Sequence, residues 1–544
     1  MALSISVTPE RRKREIAAGT WRDRLTDDYL RNAAERVGDR LLVVDGSVTL
    51  TYAEVNARVD ALAASLQSLD VSRGDVVSWQ LPNWYEAYLL HQAIVRIGAV
   101  SNPIVPIYRQ REVSYILQQS RSRVFVMPES FRGFSYVDLL EDIRSSVPDV
   151  EHVVRCRGSA RSGFLDFDDL CAGTARPEPV SRTADDPVLL LFTSGTTANP
   201  KGAVHTHNTL DCEDQSIIDT YELTENDVIF MPSPVSHISG LLYGLHLPSM
   251  VETTVVFQDV WEPGEALALI EKYRCAFTIA ATPFLHGLTY HPDLPSRDVS
   301  SMRVFGCGGA DVPPGLIRDA RERLGCLASR VYGSTEFPTL TATGPHDPAD
   351  KGALTDGRAI GAATYRILDE DDNPLPPGEV GELVLAGPEL FLGYLRQEDN
   401  VGAFLSDGYF RTGDLAAADG DGFLTIRGRK KDIVLRGGEN ISVTEIENLL
   451  FDHPQIAEIA IVAMPDPVMV ERACAFVVPR EGAEPTLSDL ASFLGAQGVA
   501  KQKIPERLEI VPELPTTQSG KVQKFRLREI IRGTLEREQQ LGVR

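Results

Sequence analysis

Residues 191–202 run Leu-Phe-Thr-Ser-Gly-Thr-Thr-Ala-Asn-Pro-Lys-Gly. Thr193, Ser194, Thr196 and Thr197 supply four hydroxyls, Gly195 and Gly202 permit tight turns, and Lys201 supplies a point charge. A short loop of hydroxyls, backbone N–H groups and one cation suits a chain of phosphate oxygens. The Walker A order of Gly, Lys and Ser/Thr is not met, because Pro200 precedes Lys201 and Gly202 follows it. The loop is therefore a candidate phosphate cradle of another kind, set against the plainer reading of a polar surface turn. Other polar clusters say less by themselves. Tyr332-Gly-Ser-Thr-Glu336, Thr412-Gly-Asp414 and Ser519-Gly-Lys521 each read alone as solvated turns.

The elements that must carry these residues follow from hydrophobic period. The loop comes directly after Val188–Phe192, an apolar run of strand length. Val55, Val59, Leu62, Leu66 and Leu69 keep a helical spacing, and Thr51 with Glu54 makes a capping box at its start. Strands are expected at 75–81, 277–281, 302–305 and 330–332, and a helix from Trp84 to Ile97. This alternation predicts an α/β architecture with mainly parallel strands. Near residue 365 short strands at 365–368, 381–386 and 423–427 predict a small β subdomain. Beyond Gly428-Arg-Lys-Lys-Asp432, a charged segment with too few apolar residues for a core, a smaller α+β unit is expected. It has a second capping box at Ser442 and Glu445, strands at 458–463, 473–478 and 508–511, and a helix at 487–494. The expected division is a large multi-layer domain 1–428, a hinge 429–432 and a small mobile domain 433–544.

The chain has 544 residues, 43% hydrophobic and 24% charged, which excludes disorder and predicts at least two domains. Its formal net charge of −23 repels phosphate backbones, so no nucleic-acid partner is expected. Seven cysteines without a CxxC pair disfavour a disulfide framework or zinc site and suit a reducing compartment. No apolar run reaches the length of a signal or membrane span, so a cytoplasmic location is expected.

In motif order and spacing, nearly the whole chain resembles the adenylate-forming superfamily of acyl-CoA synthetases, adenylation domains and luciferases. Only Ala198, in place of a glycine, departs from that family's phosphate loop. The resemblance implies ATP, Mg²⁺ and coenzyme A as reaction partners, with a small-molecule carboxylic acid as substrate, and admits a homodimer. It gives Thr193 to Thr197 and Lys201 to the phosphates, and Gly308, Gly309 and Ala310 to the adenine and acyl pocket. Within Tyr332-Gly333-Ser334-Thr335-Glu336, Tyr332 would stack on adenine, Thr335 would contact the α-phosphate and Glu336 would hold Mg²⁺. Asp414 and Arg429 would take the ribose, Lys431 the hinge and Lys521 the catalytic position on a C-terminal loop. Gly437, Gly438 and Glu439 match the segment that flanks pantetheine in CoA ligases. His237, Phe284, Gly308 and Phe337 would line the acyl site, with His237 near the substrate carboxylate.

The implied reaction activates a carboxylate as its adenylate and then transfers the acyl group to a thiol. No aspartate stands where amino-acid-activating members hold the α-ammonium, so a fatty, alicyclic or aromatic acid is expected. Gly19-Thr-Trp21 resembles the cyclohexanecarboxylate-CoA ligase-like branch. Two alternatives stay open: a freestanding adenylating enzyme serving a carrier protein or amine, and a nucleotide-binding regulator without catalysis.

Overall fold

A computed structural model describes residues 5–159, 161–193, 200–309, 312–430, 434–436, 439–441, 443–466, 470–497, 499, 501–516 and 522–540. The chain folds as α/β, with a large N-terminal part built on two mixed sheets and a small α+β C-terminal part. One sheet has eight strands in the order Gly393–Tyr394, Lys201–Thr206, Pro187–Thr193, Val100–Pro103, Val76–Trp79, Val124–Pro128, His152–Cys156, Leu165–Asp166. The other has seven, ordered Leu327–Arg330, Val304–Cys307, Cys275–Ala280, Val228–Met231, Val255–Phe257, Leu41–Asp45, Val48–Thr51.

Two helices of the large part differ in how much of their surface is buried. Tyr85–Arg96 is buried at nearly every position, and Tyr52–Ser68 buries Val55, Val59, Leu62 and Leu66. One core cluster joins Val77 and Trp79 of the first sheet to Val43, Ile229 and Phe277 of the second through these helices. A helix buried on all sides belongs between layers, whereas a one-faced stripe belongs on a surface. The capping box at Thr51 and Glu54 is formed, each satisfying the other's backbone N–H.

Most of the second sheet is parallel, and its register shifts two expected strands. Val304 to Cys307 pair in step with Leu327 to Arg330, so the strands lie at 304–307 and 327–330 rather than 302–305 and 330–332. Gly308 and Val331 therefore leave the sheet together. Segments 232–240, 281–286, 308–309 and 331–338 all follow carboxyl ends of four adjacent strands, where α/β sheets form their clefts.

A four-stranded antiparallel sheet of Thr364–Leu368, Gly381–Ala386, Phe410–Ala418 and Leu424–Arg429 forms the β subdomain. Its last strand runs through Arg429, which pairs in register with Asp414, so the first residue of the expected hinge belongs to this sheet. Lys431 lies outside the described residues. In the C-terminal part, Ile456–Asp466 and Val470–Pro479 pair antiparallel, extending the strands expected at 458–463 and 473–478. Arg507–Ile510 adds in parallel, and Val443–Phe451, Leu487–Ala496 and Lys524–Gln540 are the helices of this part. Ser442, half of the second expected capping box, is not among the described residues. All seven cysteines are free. No helix among the described residues is long and apolar enough to cross a membrane.

Candidate functional site

The candidate phosphate loop is the connection of a hairpin. Pro187–Thr193 and Lys201–Thr206 are antiparallel neighbours, and Thr193 pairs in register with Lys201. The alternation Leu189, Leu191 against Leu190, Phe192 explains a strand buried on both faces that delivers Thr193 to its end. The Lys201 ammonium sits 4.8 Å from the Tyr394 ring centroid and 3.9 Å from Asp399 Oδ1. Ser194, Gly195, Thr196 and Thr197 lie outside the described residues.

Tyr332-Gly333-Ser334-Thr335-Glu336 follows the strand Leu327–Arg330 as a tight turn. The Ser334 N–H donates to Phe337 O at 2.8 Å, and Tyr332 exchanges backbone bonds with Thr341. A Cβ on Gly333 would stand 1.8 Å from Pro338 O, so only glycine fits there. Two side-chain clusters meet this turn.

In the first cluster, Tyr332 donates its hydroxyl to Asp414 Oδ2 at 2.6 Å, and Arg429 Nε stands 2.9 Å from Asp414 Oδ1. Strand register brings Asp414 and Arg429 together. Burial, with the Asp414 charge second, pushes the Tyr332 phenol well above its ordinary value, so it remains a donor. In the second cluster, Tyr394 donates its hydroxyl to Glu336 Oε1 at 2.7 Å, and burial followed by the Glu336 charge raises its pKa. Glu336 Oε2 has no hydrogen-bond partner among the described residues, and the side chain is half-buried. A hard cation that shares phosphate oxygens fits such a single available carboxylate oxygen.

The backbone of this turn is clamped from the neighbouring sheet. His205 Nε2 donates to Thr335 O at 2.7 Å, and the Phe391 N–H donates to Glu336 O at 2.9 Å. Burial lowers the His205 pKa to about 4, so the ring is neutral at physiological pH and its one N–H goes to the carbonyl. Neither His205 nor Tyr394 stands out in sequence: one is an inward position of a strand, the other the aromatic of an apolar Leu-Gly-Tyr-Leu run.

The expected acyl-site residues separate. His237 caps the short helix Ile238–Leu241, with its N–H donating to Pro234 O at 2.9 Å. Phe284 packs edge-on against Trp261, the centroids 4.8 Å apart. Gly308 approaches the next strand so closely that a Cβ would lie 2.5 Å from Val331 O, and Gly309 has φ +78°. These positions follow adjacent carboxyl strand ends. Phe337 instead is wholly buried in the cluster of Leu385, Phe391, Tyr394 and Phe410, in the core of the β subdomain. Glu439 begins a strand paired with Val434–Arg436. Ala310, Gly437, Gly438 and Lys521 lie outside the described residues.

Comparison with known proteins matches the family profile described as AMP-binding enzyme over residues 30–395. The profile of the AMP-binding enzyme C-terminal domain matches residues 445–521. The chain is 33% identical to the medium-chain fatty-acid–CoA ligase of Escherichia coli K12, over 98% of this chain and 94% of that one. It is 31% identical to the 2,3-dihydroxybenzoate-AMP ligase of Bacillus subtilis 168, covering 94% and 95%. Among solved structures, ATP-bound MatB from Rhodopseudomonas palustris superposes with a TM-score of 0.83 at 28% identity, over 93% of this chain and 98% of that one.

Proposed function

Because the chain belongs to the AMP-binding enzyme family, we propose that it is an ATP-dependent carboxylic acid:CoA ligase acting on a fatty, alicyclic or aromatic acid. A carboxylate oxygen attacks the α-phosphorus of ATP, the bond to the β-phosphate oxygen breaks, and pyrophosphate leaves with the electron pair. The acyl-adenylate is then attacked at its carbonyl carbon by the CoA thiolate, and AMP leaves. Both steps bring anions together, so charge neutralisation and positioning carry the catalysis. Bound Mg²⁺ would supply Lewis-acid neutralisation of phosphate charge.

The observation that carries this reading is a pair of carboxylates that meet one turn: Asp414, from the strand Phe410–Ala418, fixed by Tyr332 and Arg429, and Glu336, on the turn itself, held by Tyr394 through one oxygen. Asp414 would accept from the ribose hydroxyls, with Arg429 holding its other side in place. Tyr332 would flank the adenine together with Gly309, Ala310, Gly333 and Ser334. Thr335 would contact the α-phosphate, and Glu336 would hold Mg²⁺. Thr193, Ser194, Gly195, Thr196, Thr197 and Lys201 would hold the departing pyrophosphate, and Lys521 would neutralise the attacking carboxylate. His237, Phe284 and Gly308 would form the acyl site, whereas Phe337 serves the core. Gly437, Gly438 and Glu439 would flank pantetheine, with domains at 1–428 and 433–544 turning about a hinge that contains Lys431.

The B. subtilis relative, whose name stops at the AMP ligase step, favours one second reading: an adenylate passed to a carrier protein or amine. Incubation with ATP, a panel of acids and either CoA or hydroxylamine separates the two. The ligase reading expects AMP and acyl-CoA from at least one acid. Hydroxamate without acyl-CoA would favour the second reading, and neither product from any acid would overturn both.

A further inference from the structure

Gly19-Thr-Trp21, which the proposed nucleotide and acyl sites leave unused, lies in an N-terminal arm ahead of the span matched by the AMP-binding profile. Thr8 caps the start of the arm's helix Pro9–Ala18, and Gly19 ends it at φ +74°. That left-handed turn returns the chain so that Trp21 is 2% exposed and donates its indole N–H to Pro388 O at 3.1 Å. The Arg11 guanidinium lies 5.2 Å from the Trp21 ring centroid. It donates to Pro388 O and Phe391 O at 3.2 Å each, and also to Leu390 O. Burial lowers the Arg11 pKa to about 10, which leaves it charged at neutral pH.

Carbonyls of an irregular buried loop need donors, and a guanidinium supplies several from one rigid plane. The arm's other side is fastened too: Arg12 pairs with Asp185 at 2.7 Å, just ahead of the strand Pro187–Thr193. The loop so held is the one that grips Glu336. Phe391 gives its carbonyl to Arg11 and its N–H to Glu336 O, and Tyr394, three residues on, holds Glu336 Oε1.

We propose that the N-terminal arm is a positioning device for the Glu336 carboxylate, with Arg11 and Trp21 fixing loop 388–394 and the loop fixing Glu336. This rests on the proposed role of Glu336 toward the nucleotide's cation. Groups one step removed from a metal-binding carboxylate set its orientation and hence the affinity of the site.

The test uses the full chain with Arg11→Met, Trp21→Phe, Glu336→Gln and the Arg11→Met/Glu336→Gln double variant. Amide hydrogen exchange reads the loop, and calorimetry of ATP binding against magnesium concentration, without acid or CoA, reads the site. Arg11→Met is expected to speed exchange at Phe391 and to raise the magnesium needed for half-maximal ATP binding by about tenfold. Trp21→Phe should act in the same direction and less, and it carries the test if Arg11→Met fails to fold. The double variant should bind ATP no more weakly than Glu336→Gln alone, because one path is being cut twice. Unchanged exchange at Phe391, or a magnesium shift that adds in full to that of Glu336→Gln, would overturn the proposal. If wild-type protein binds ATP without any magnesium dependence, the role given to Glu336 falls. Faster exchange at Phe391 in the arm variants would then still show the arm holding the loop.

Discussion

Asp414 illustrates how much of the site a single side chain can organise. It is nearly buried, yet both oxygens are engaged, one by the Tyr332 phenol and one by Arg429. A buried polar group is costly unless its hydrogen-bonding capacity is met by such partners. If its remaining acceptor capacity serves the ribose, Asp414→Asn should weaken ATP binding by about 10- to 100-fold and erase any preference for ATP over 2′,3′-dideoxy-ATP. Competition binding of the two nucleotides checks this, and a variant that keeps the preference would place the ribose elsewhere. The phosphate-loop candidate stands out in sequence by its own run of hydroxyls, glycines and a lysine, whereas the Tyr332-to-Glu336 turn and Asp414 are singled out only by family resemblance. Tyr394, His205 and Arg11 are legible in neither way. Their partners lie 58, 130 and about 380 residues away, and locally each looks like a packing or surface residue.

Whole elements show the same division between local and long-range signals. Helical and strand periods foretold the layers, but parallel register moved the strands at 304–307 and 327–330, and register depends on a partner the local sequence does not name. The helix His207–Tyr221 is a sharper case. It carries Asp211, Glu213 and Asp214, all wholly buried, where charge patterning alone would have put them in solvent. Glu213 accepts from Tyr243 and from the Thr339 N–H, and burial, with Glu389 second, raises its pKa to about 8. A raised carboxyl pKa means the folded state holds a proton that the unfolded state has lost. Between the ordinary value of 4.5 and about 8, stability therefore falls as pH rises. Glu213→Gln removes that loss, so its stability advantage should grow across this window and level off above it, read from denaturant unfolding at several pH values. A constant difference would mean that Glu213 is ionised throughout. At the turn that follows Leu327–Arg330, Gly333→Ala should abolish ATP binding while the far sheet stays folded. The added methyl would displace Pro338 and with it Thr335 and Glu336. Retained nucleotide affinity would show that the turn can relax.

On the proposed function, the whole molecule would divide its labour between a large scaffold and a small unit. The candidate nucleotide residues Thr193, Lys201, Tyr332, Glu336, Asp414 and Arg429 all lie on the large part, whereas Lys521 falls in the span matched by the C-terminal profile. A group needed only while anions meet belongs on a part that can withdraw. Lys521→Ala should thus reduce adenylate formation by about 100-fold or more while leaving thioester formation from supplied acyl-adenylate intact. Equal loss in the two half-reactions, assayed separately, would refute that division.

The loop between Thr193 and Lys201 joins neighbouring antiparallel strands, where the Walker A loop runs on into a helix. Its ends are already brought together by the sheet, so the entropy of closing the ring is spent during folding and does not recur at each turnover. If phosphates sit here as proposed, the loop's hydroxyls and Lys201 would supply the grip. A hold built from many weak, separately breakable bonds can let pyrophosphate go one oxygen at a time. Escape of the first product would then proceed by local unzipping of that hold.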